Sequence, residues 1–257
     1  MKHSSIPLFL VPLLLPLLLM CSSGDDDPFS LDDLGDGLKV LFIGNSLTGF
    51  NDLPALVRTV AEARDHDLAV RGVIKSNYSL EDHWYDGDAR RAIQGAEWDV
   101  VVLQQGPSSL IENRIHLREW SERFDTLIRE MGGRPALYMV WPEEARRTAF
   151  GAVSQSYTAA AEAVNGMLFP VGEAWRLAWQ RDAGIDLYGP DRFHPSELGS
   201  VLAALVIHQQ LFDDSPVGFP SVLQPSSTGL PTITLNEEDA TTLQEAAAEA
   251  NELFGRR

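Results

Sequence analysis

One cysteine, Cys21, stands in a chain of 257 residues. That scarcity excludes an internal disulfide, a Cys-rich zinc site and a CxxC redox pair, each of which needs at least two thiols. Basic residues are also few: 20 Lys and Arg face 37 Asp and Glu, a formal net charge of −17. Nucleic-acid binding depends on Lys and Arg displacing counterions from phosphates, so this balance argues against nucleic acid as a partner. It disfavours anionic membrane surfaces for the same reason. The apolar run at residues 6–20 falls short of the ~20 residues that span a bilayer, and Pro7, Pro12 and Pro16 would interrupt a helix there. No internal repeat is present. What remains suits one α/β domain, at roughly 100–200 residues per domain.

Met1, Lys2 and His3 precede the apolar run, the layout of a secretory signal. The run ends Leu18-Leu19-Met20-Cys21, which resembles a bacterial lipoprotein lipobox, with Met20 in place of the usual small residue. The resemblance implies cleavage after Met20 and lipidation of Cys21. The following Ser-Ser-Gly-Asp-Asp-Asp-Pro has no apolar surface to bury and reads as a solvated tether. Adjacent Asp25, Asp26 and Asp27 lack the alternating spacing that wraps calcium. The expected organisation is a signal peptide over 1–20, an acidic lipoprotein-like tether over 21–37 and a domain over 38–257. The expected location is exported and lipid-anchored in the bacterial cell envelope, or periplasmic or secreted without lipidation. Contact with membrane is expected only through that N-terminal anchor.

Within the domain, short β-branched runs alternate with longer stretches of helical period, the pattern of a parallel sheet with crossover helices. Strands are expected at residues 39–44, 68–74, 98–104, 136–141 and, more weakly, 167–171. Helices are expected at 53–64, 114–131 and 150–164, with another beginning at Pro195-Ser196 and a last one over about 237–254. Asp52 and Pro54 open the first of these. Gly132-Gly133 closes the second. Asn236 caps the last, whose apolar face is Leu243, Ala247, Ala250 and Phe254. The Pro-rich stretch 216–231 reads as a surface connection.

In open α/β sheets the ligand site lies beyond the carboxyl ends of the strands. The first strand runs into Gly44-Asn45-Ser46-Leu47-Thr48-Gly49, which puts Ser46 at that edge. A serine needs a base, normally a histidine held by a carboxylate. Of six histidines, His3 lies in the leader, His66 follows a helix end, His116 and His208 fall within helices and His83 sits in a charged loop. His194 differs: it lies in Gly189-Pro190-Asp191-Arg192-Phe193-His194-Pro195-Ser196, where Asp191 stands three residues upstream, just before a helix.

Together, Gly44-Asn45-Ser46 and Asp191-x-x-His194-Pro195 resemble the SGNH, or GDSL-type, serine hydrolase superfamily, and the likeness covers essentially the whole mature chain. No GxSxG occurs, so the α/β-hydrolase nucleophile elbow is a poor competitor. The resemblance implies a three-layer α/β/α sandwich with a central parallel five-stranded sheet, flavodoxin-like. It implies that Ser46 attacks an ester carbonyl, that His194 carries the proton and that Asp191 orients the imidazole, with no metal or cofactor required.

The superfamily's oxyanion donors map onto the Ser46 N–H, Asn77 in the place of a usual glycine, and Gln104 first or Gln105 second, since no GxND follows the third strand. Asn tolerates left-handed backbone geometry better than most residues, so Asn77 is compatible with that role. Trp141-Pro142-Glu143 is a further rim segment, read either as pocket wall or as a strand terminator with a packed Trp. The expected activity is a serine esterase acting on an ester or O-acetyl group of a small molecule or glycan. The alternative is a non-catalytic glycan- or partner-binding lipoprotein on the same fold.

Overall fold

The computed structural model describes Met1 and residues 37–256. The rest of the predicted leader, Cys21 and the tether as far as residue 36 lie outside the described residues.

The sheet grows from runs that are apolar on both faces. Val40, Leu41, Phe42 and Ile43 are completely buried, as strands covered by helices on both sides must be. They belong to β1 (Leu38–Gly44), which pairs in parallel with β2 (Leu68–Ile74) on one side and β3 (Val100–Leu103) on the other. β4 (Arg134–Tyr138) and β5 (Met167–Phe169) extend the sheet, again in parallel. The order is β2-β1-β3-β4-β5. Strand order therefore reverses between β1 and β3, and the carboxyl ends of those two strands open the crevice where ligands bind in such sheets.

The helices after β1 are α1 (Ser46–Gly49) and α2 (Leu53–Glu62). α3 (Leu80–Asp86) and α4 (Asp88–Gln94) lie between β2 and β3, α5 (Ile111–Glu130) between β3 and β4, and α6 (Phe150–Ala163) between β4 and β5. α7 (Val171–Arg181), α8 (Glu197–Phe212) and α9 (Glu237–Phe254) follow. α3, α4, α5 and α6 pack with one another on one face, and α2, α7, α8 and α9 on the other, which makes the three layers. α8 is buried along nearly its whole length, because α2 and α9 both lie against it. No helix of the described residues is long and apolar enough to cross a membrane.

β2 runs over 68–74 as expected, whereas β3 and β5 end earlier than their apolar runs and β4 begins and ends earlier. The sequence pattern follows burial, and residues beyond the last ladder hydrogen bond remain buried: Met139, Val140 and Trp141 are at most 1% exposed. α3, α4 and α7 were not expected. The first two are short and rich in charge, and α7 begins directly after Pro170 with no capping side chain to announce it. Asp52 does sit at the start of α2, but in left-handed geometry (φ 50°) and without a side-chain cap bond. Asn236 caps α9 by accepting from Asp239 N, and Gly132 takes the left-handed turn after α5 (φ 84°). Phe254 is 38% exposed rather than part of the apolar face of α9. The 216–231 connection carries β6 (Val222–Leu223), paired antiparallel with β7 (Ile233–Thr234).

Candidate active site

Ser46 is the first residue of α1, immediately past the carboxyl end of β1. Asn45 is the N-cap: its Oδ1 accepts from Leu47 N at 3.1 Å, and its Nδ2 donates to the Tyr78 carbonyl at 3.0 Å. The turn is tight because Gly44 leaves room for it. A Cβ at position 44 would lie 2.5 Å from both Gln104 Oε1 and Thr48 Oγ1, closer than any real contact. His83, expected in a loop, is instead buried in α3, and its Nε2 bonds the Gly44 carbonyl at 2.9 Å. Burial holds its imidazole below the ordinary histidine pKa, favouring the neutral donor form.

The loop before α8 supplies the partner. His194 Nε2 lies 2.9 Å from Ser46 Oγ, and its Nδ1 lies 2.5 Å from Asp191 Oδ2. The three side chains thus form one hydrogen-bonded relay across 148 residues of sequence. Asp191 Oδ1 accepts from the backbone N–H groups of Phe193 and His194 at 3.0 and 2.9 Å. The side-chain bond to His194 above all, with these two backbone bonds, holds the carboxyl down at about 2. Arg192 takes a left-handed conformation (φ 60°) inside the turn.

Trp141 is not a rim residue. It is fully buried, stacks on Trp175 with centroids 3.7 Å apart, and donates from Nε1 to the Phe193 carbonyl at 2.9 Å. Glu144 N donates to the Arg192 carbonyl at 2.9 Å, and Asn51 Nδ2 donates to the Ser196 carbonyl at 3.1 Å. The histidine loop is therefore clamped from both sides. Phe50 stacks on the imidazole of His194, with centroids 4.1 Å apart and planes 11° from parallel.

Ser46 opens onto a cleft of about 410 Å³ whose walls include Asn45, Asn77, Tyr78, Gln105, Asn113, His116 and Phe193. Asn77 is left-handed (φ 64°), the geometry expected of a residue in a glycine place. Among the described residues, neither the Ser46 N–H nor the Asn77 N–H donates to a protein acceptor. Gln104, the first choice for a side-chain donor, does not line this cleft. It is completely buried, and its Nε2 is spent on Asn45 Oδ1 (3.0 Å) and the Gln105 carbonyl (2.6 Å). Its Oε1 accepts from Asn45 N (2.9 Å) and Thr48 Oγ1 (2.7 Å). Gln104 is thus a brace of the serine turn, with both N–H groups committed. Gln105 does reach the cleft: one Nε2 hydrogen bonds Ser108 Oγ at 3.0 Å, and Oε1 accepts from Leu80 N at 3.3 Å.

Sequence reading passed over Phe50, Tyr78, His83, Asn113 and His116. His116 falls within a helix as expected, and from α5 it faces the cleft and pairs with Glu81 at 2.9 Å. Only its helical phase beside Asn113, three residues earlier on α5, would have signalled this.

The sheet order, with the Ser46 turn at its switch point, defines a three-layer α/β/α protein with the SGNH hydrolase fold. Solved structures agree. A protein assigned to the SGNH hydrolases from Slackia heliotrinireducens is 23% identical with a TM-score of 0.55, over 68% of this chain and 98% of its own. A DUF4886 family protein from Bacteroides uniformis is 19% identical with a TM-score of 0.66, over 85% and 96%. An acetylxylan esterase from Geobacillus stearothermophilus is 19% identical with a TM-score of 0.51, over 68% and 95%. No protein-family model and no curated protein sequence matches the chain.

Proposed function

We propose that this protein is a serine esterase that hydrolyses an ester or O-acetyl group of a small molecule or glycan through an acyl-enzyme. The observation that carries the reading is the Ser46–His194–Asp191 relay opening on a cleft. Ser46 Oγ attacks the carbonyl carbon as its proton passes to His194 Nε2, and the Asp191 carboxylate stabilises the imidazolium. The tetrahedral oxyanion is met by the Ser46 and Asn77 N–H groups and by the uncommitted Nε2 hydrogen of Gln105. Collapse expels the alkoxide, which takes the proton back from Nε2. Water then attacks the acyl group, Nε2 removing its proton, and the carboxylic acid leaves with Ser46 restored.

The amide- and hydroxyl-bearing walls of the cleft suit an ester whose leaving alcohol is polar. The hydrolase names of the structural neighbours, an acetylxylan esterase among them, support the same class. We further propose export and a lipid anchor at Cys21, which palmitate labelling with a Cys21→Ser control tests.

A fluorophosphonate probe tests the activity directly. Labelling of the wild type, and none of Ser46→Ala with unchanged melting, is expected. Absence of labelling across pH 6 to 9 in folded protein would overturn the esterase and favour a binding protein on the same fold.

A further inference from the structure

A second cluster of chemistry-bearing side chains lies at the opposite end of the domain. His66 follows α2, His208 lies near the end of α8 and Asp214 follows that helix. Asp67, next to His66, accepts from Leu38 N at the start of β1, whereas Ser46 lies past its end. A seven-residue strand spans about 23 Å, so the cluster is remote from the serine.

His66 Nε2 and His208 Nε2 stand 3.3 and 3.4 Å from the same oxygen, Asp214 Oδ2. Arg64 Nε also stands 3.4 Å from it. Charge-assisted hydrogen bonds close to about 2.7–2.9 Å, so all three are loose. The two histidine separations match the edge lengths of a zinc tetrahedron: bonds of about 2.0–2.2 Å at tetrahedral angles separate ligand atoms by about 3.3–3.5 Å. The three ligand atoms lie within 4.8 Å of one another, and no other such group of three occurs among the described residues. His208 is completely buried, and its Nδ1 has no partner.

We propose that His66, His208 and Asp214 bind a divalent transition cation of the zinc type, with a water in the fourth position. His66 is partly exposed on its loop and can close the remaining His–His distance. Arg64 competes for the carboxylate, but its guanidinium also lies 4.4 Å over the Phe219 ring and keeps that seat when a cation takes the oxygen. Coordination ties the end of α2 to the end of α8, so the ion acts on stability and lies outside the ester chemistry.

The test is calorimetry and thermal melting of EDTA-treated, dialysed protein titrated with zinc chloride, with cobalt(II) as a spectroscopic probe. One equivalent taken up, a raised Tm and the visible bands of four-coordinate cobalt are expected. His66→Ala and Asp214→Asn, both at partly exposed positions, should weaken uptake at least tenfold and abolish the shift in Tm. Arg64→Ala should tighten uptake severalfold. No stoichiometric uptake at micromolar zinc, or uptake unchanged in both ligand variants, would overturn the site.

Discussion

Gln104 and Asn45 exchange two hydrogen bonds across the point where strand order reverses: Asn45 N donates to Gln104 Oε1, and Gln104 Nε2 donates to Asn45 Oδ1. Ile43 of β1 pairs with Leu103 of β3, so the residues just past each strand face one another. The turn that carries Ser46 is therefore set by the neighbouring strand's end as well as by its own sequence. The same glutamine fills the space a side chain at position 44 would need, which links Gly44, Asn45 and Gln104 into one unit.

Gln104 and Gln105 should separate in mutation. Gln104→Leu strands Asn45 N and the Thr48 hydroxyl in the interior, at about 1–3 kcal/mol per unsatisfied group, so urea unfolding should show a large loss of stability together with lost turnover. Gln105→Leu removes the proposed oxyanion donor, a group worth about 2.7–4 kcal/mol in comparable sites. It should lower kcat by about 10²- to 10³-fold with KM for a short-chain p-nitrophenyl ester little changed.

Gly44→Ala forces apart two polar groups that cannot retreat without losing their bonds. Overpacking of this kind costs about 1–3 kcal/mol. The expected result is a lower Tm and impaired fluorophosphonate labelling, whereas Gly106→Ala, where an added Cβ meets open space, should leave the Tm within about a degree.

Asp191 carries the pH dependence that can be read from the structure. Its carboxyl is held at about 2, chiefly by His194, against an ordinary value near 3.8. Because the folded value is the lower one, its stabilising contribution is complete above the unfolded value and is lost as pH falls towards 2. The stability difference between wild type and Asp191→Asn should hold constant from pH 7 to about 5 and shrink between about 4 and 2 in urea titrations. At pH 7 the same variant should lose about 10³- to 10⁴-fold in kcat, as expected when a triad carboxylate no longer orients the imidazole.

Phe50 offers a milder test. Its ring lies flat on the His194 imidazole while remaining 40% exposed. Aromatic pairing is worth about 0.5–1.5 kcal/mol, so Phe50→Ala should lower kcat by roughly 2- to 12-fold. Phe50→Tyr should restore it, and equal rates in all three proteins would remove Phe50 from the positioning of His194.

The sequence by itself determined the α/β class, the five strands and the two segments that hold Ser46, Asp191 and His194. Each is written in local patterns: apolar runs of strand length, a serine directly after the first of them, and an acid–histidine pair braced by prolines before a helix. Gln104 was visible as a polar residue at a strand end, but its role was not. Whether a buried amide faces a ligand or a neighbouring turn depends on the β1–β3 register, which no local pattern encodes. His83, His116 and Phe50 entered the site for the same reason. Their neighbours come from distant segments, and only packing of helices on both faces of the sheet decided which side chains meet. The pairing of His66 with His208 and Asp214 likewise depends on α2 lying against α8, a contact between segments some 140 residues apart in sequence.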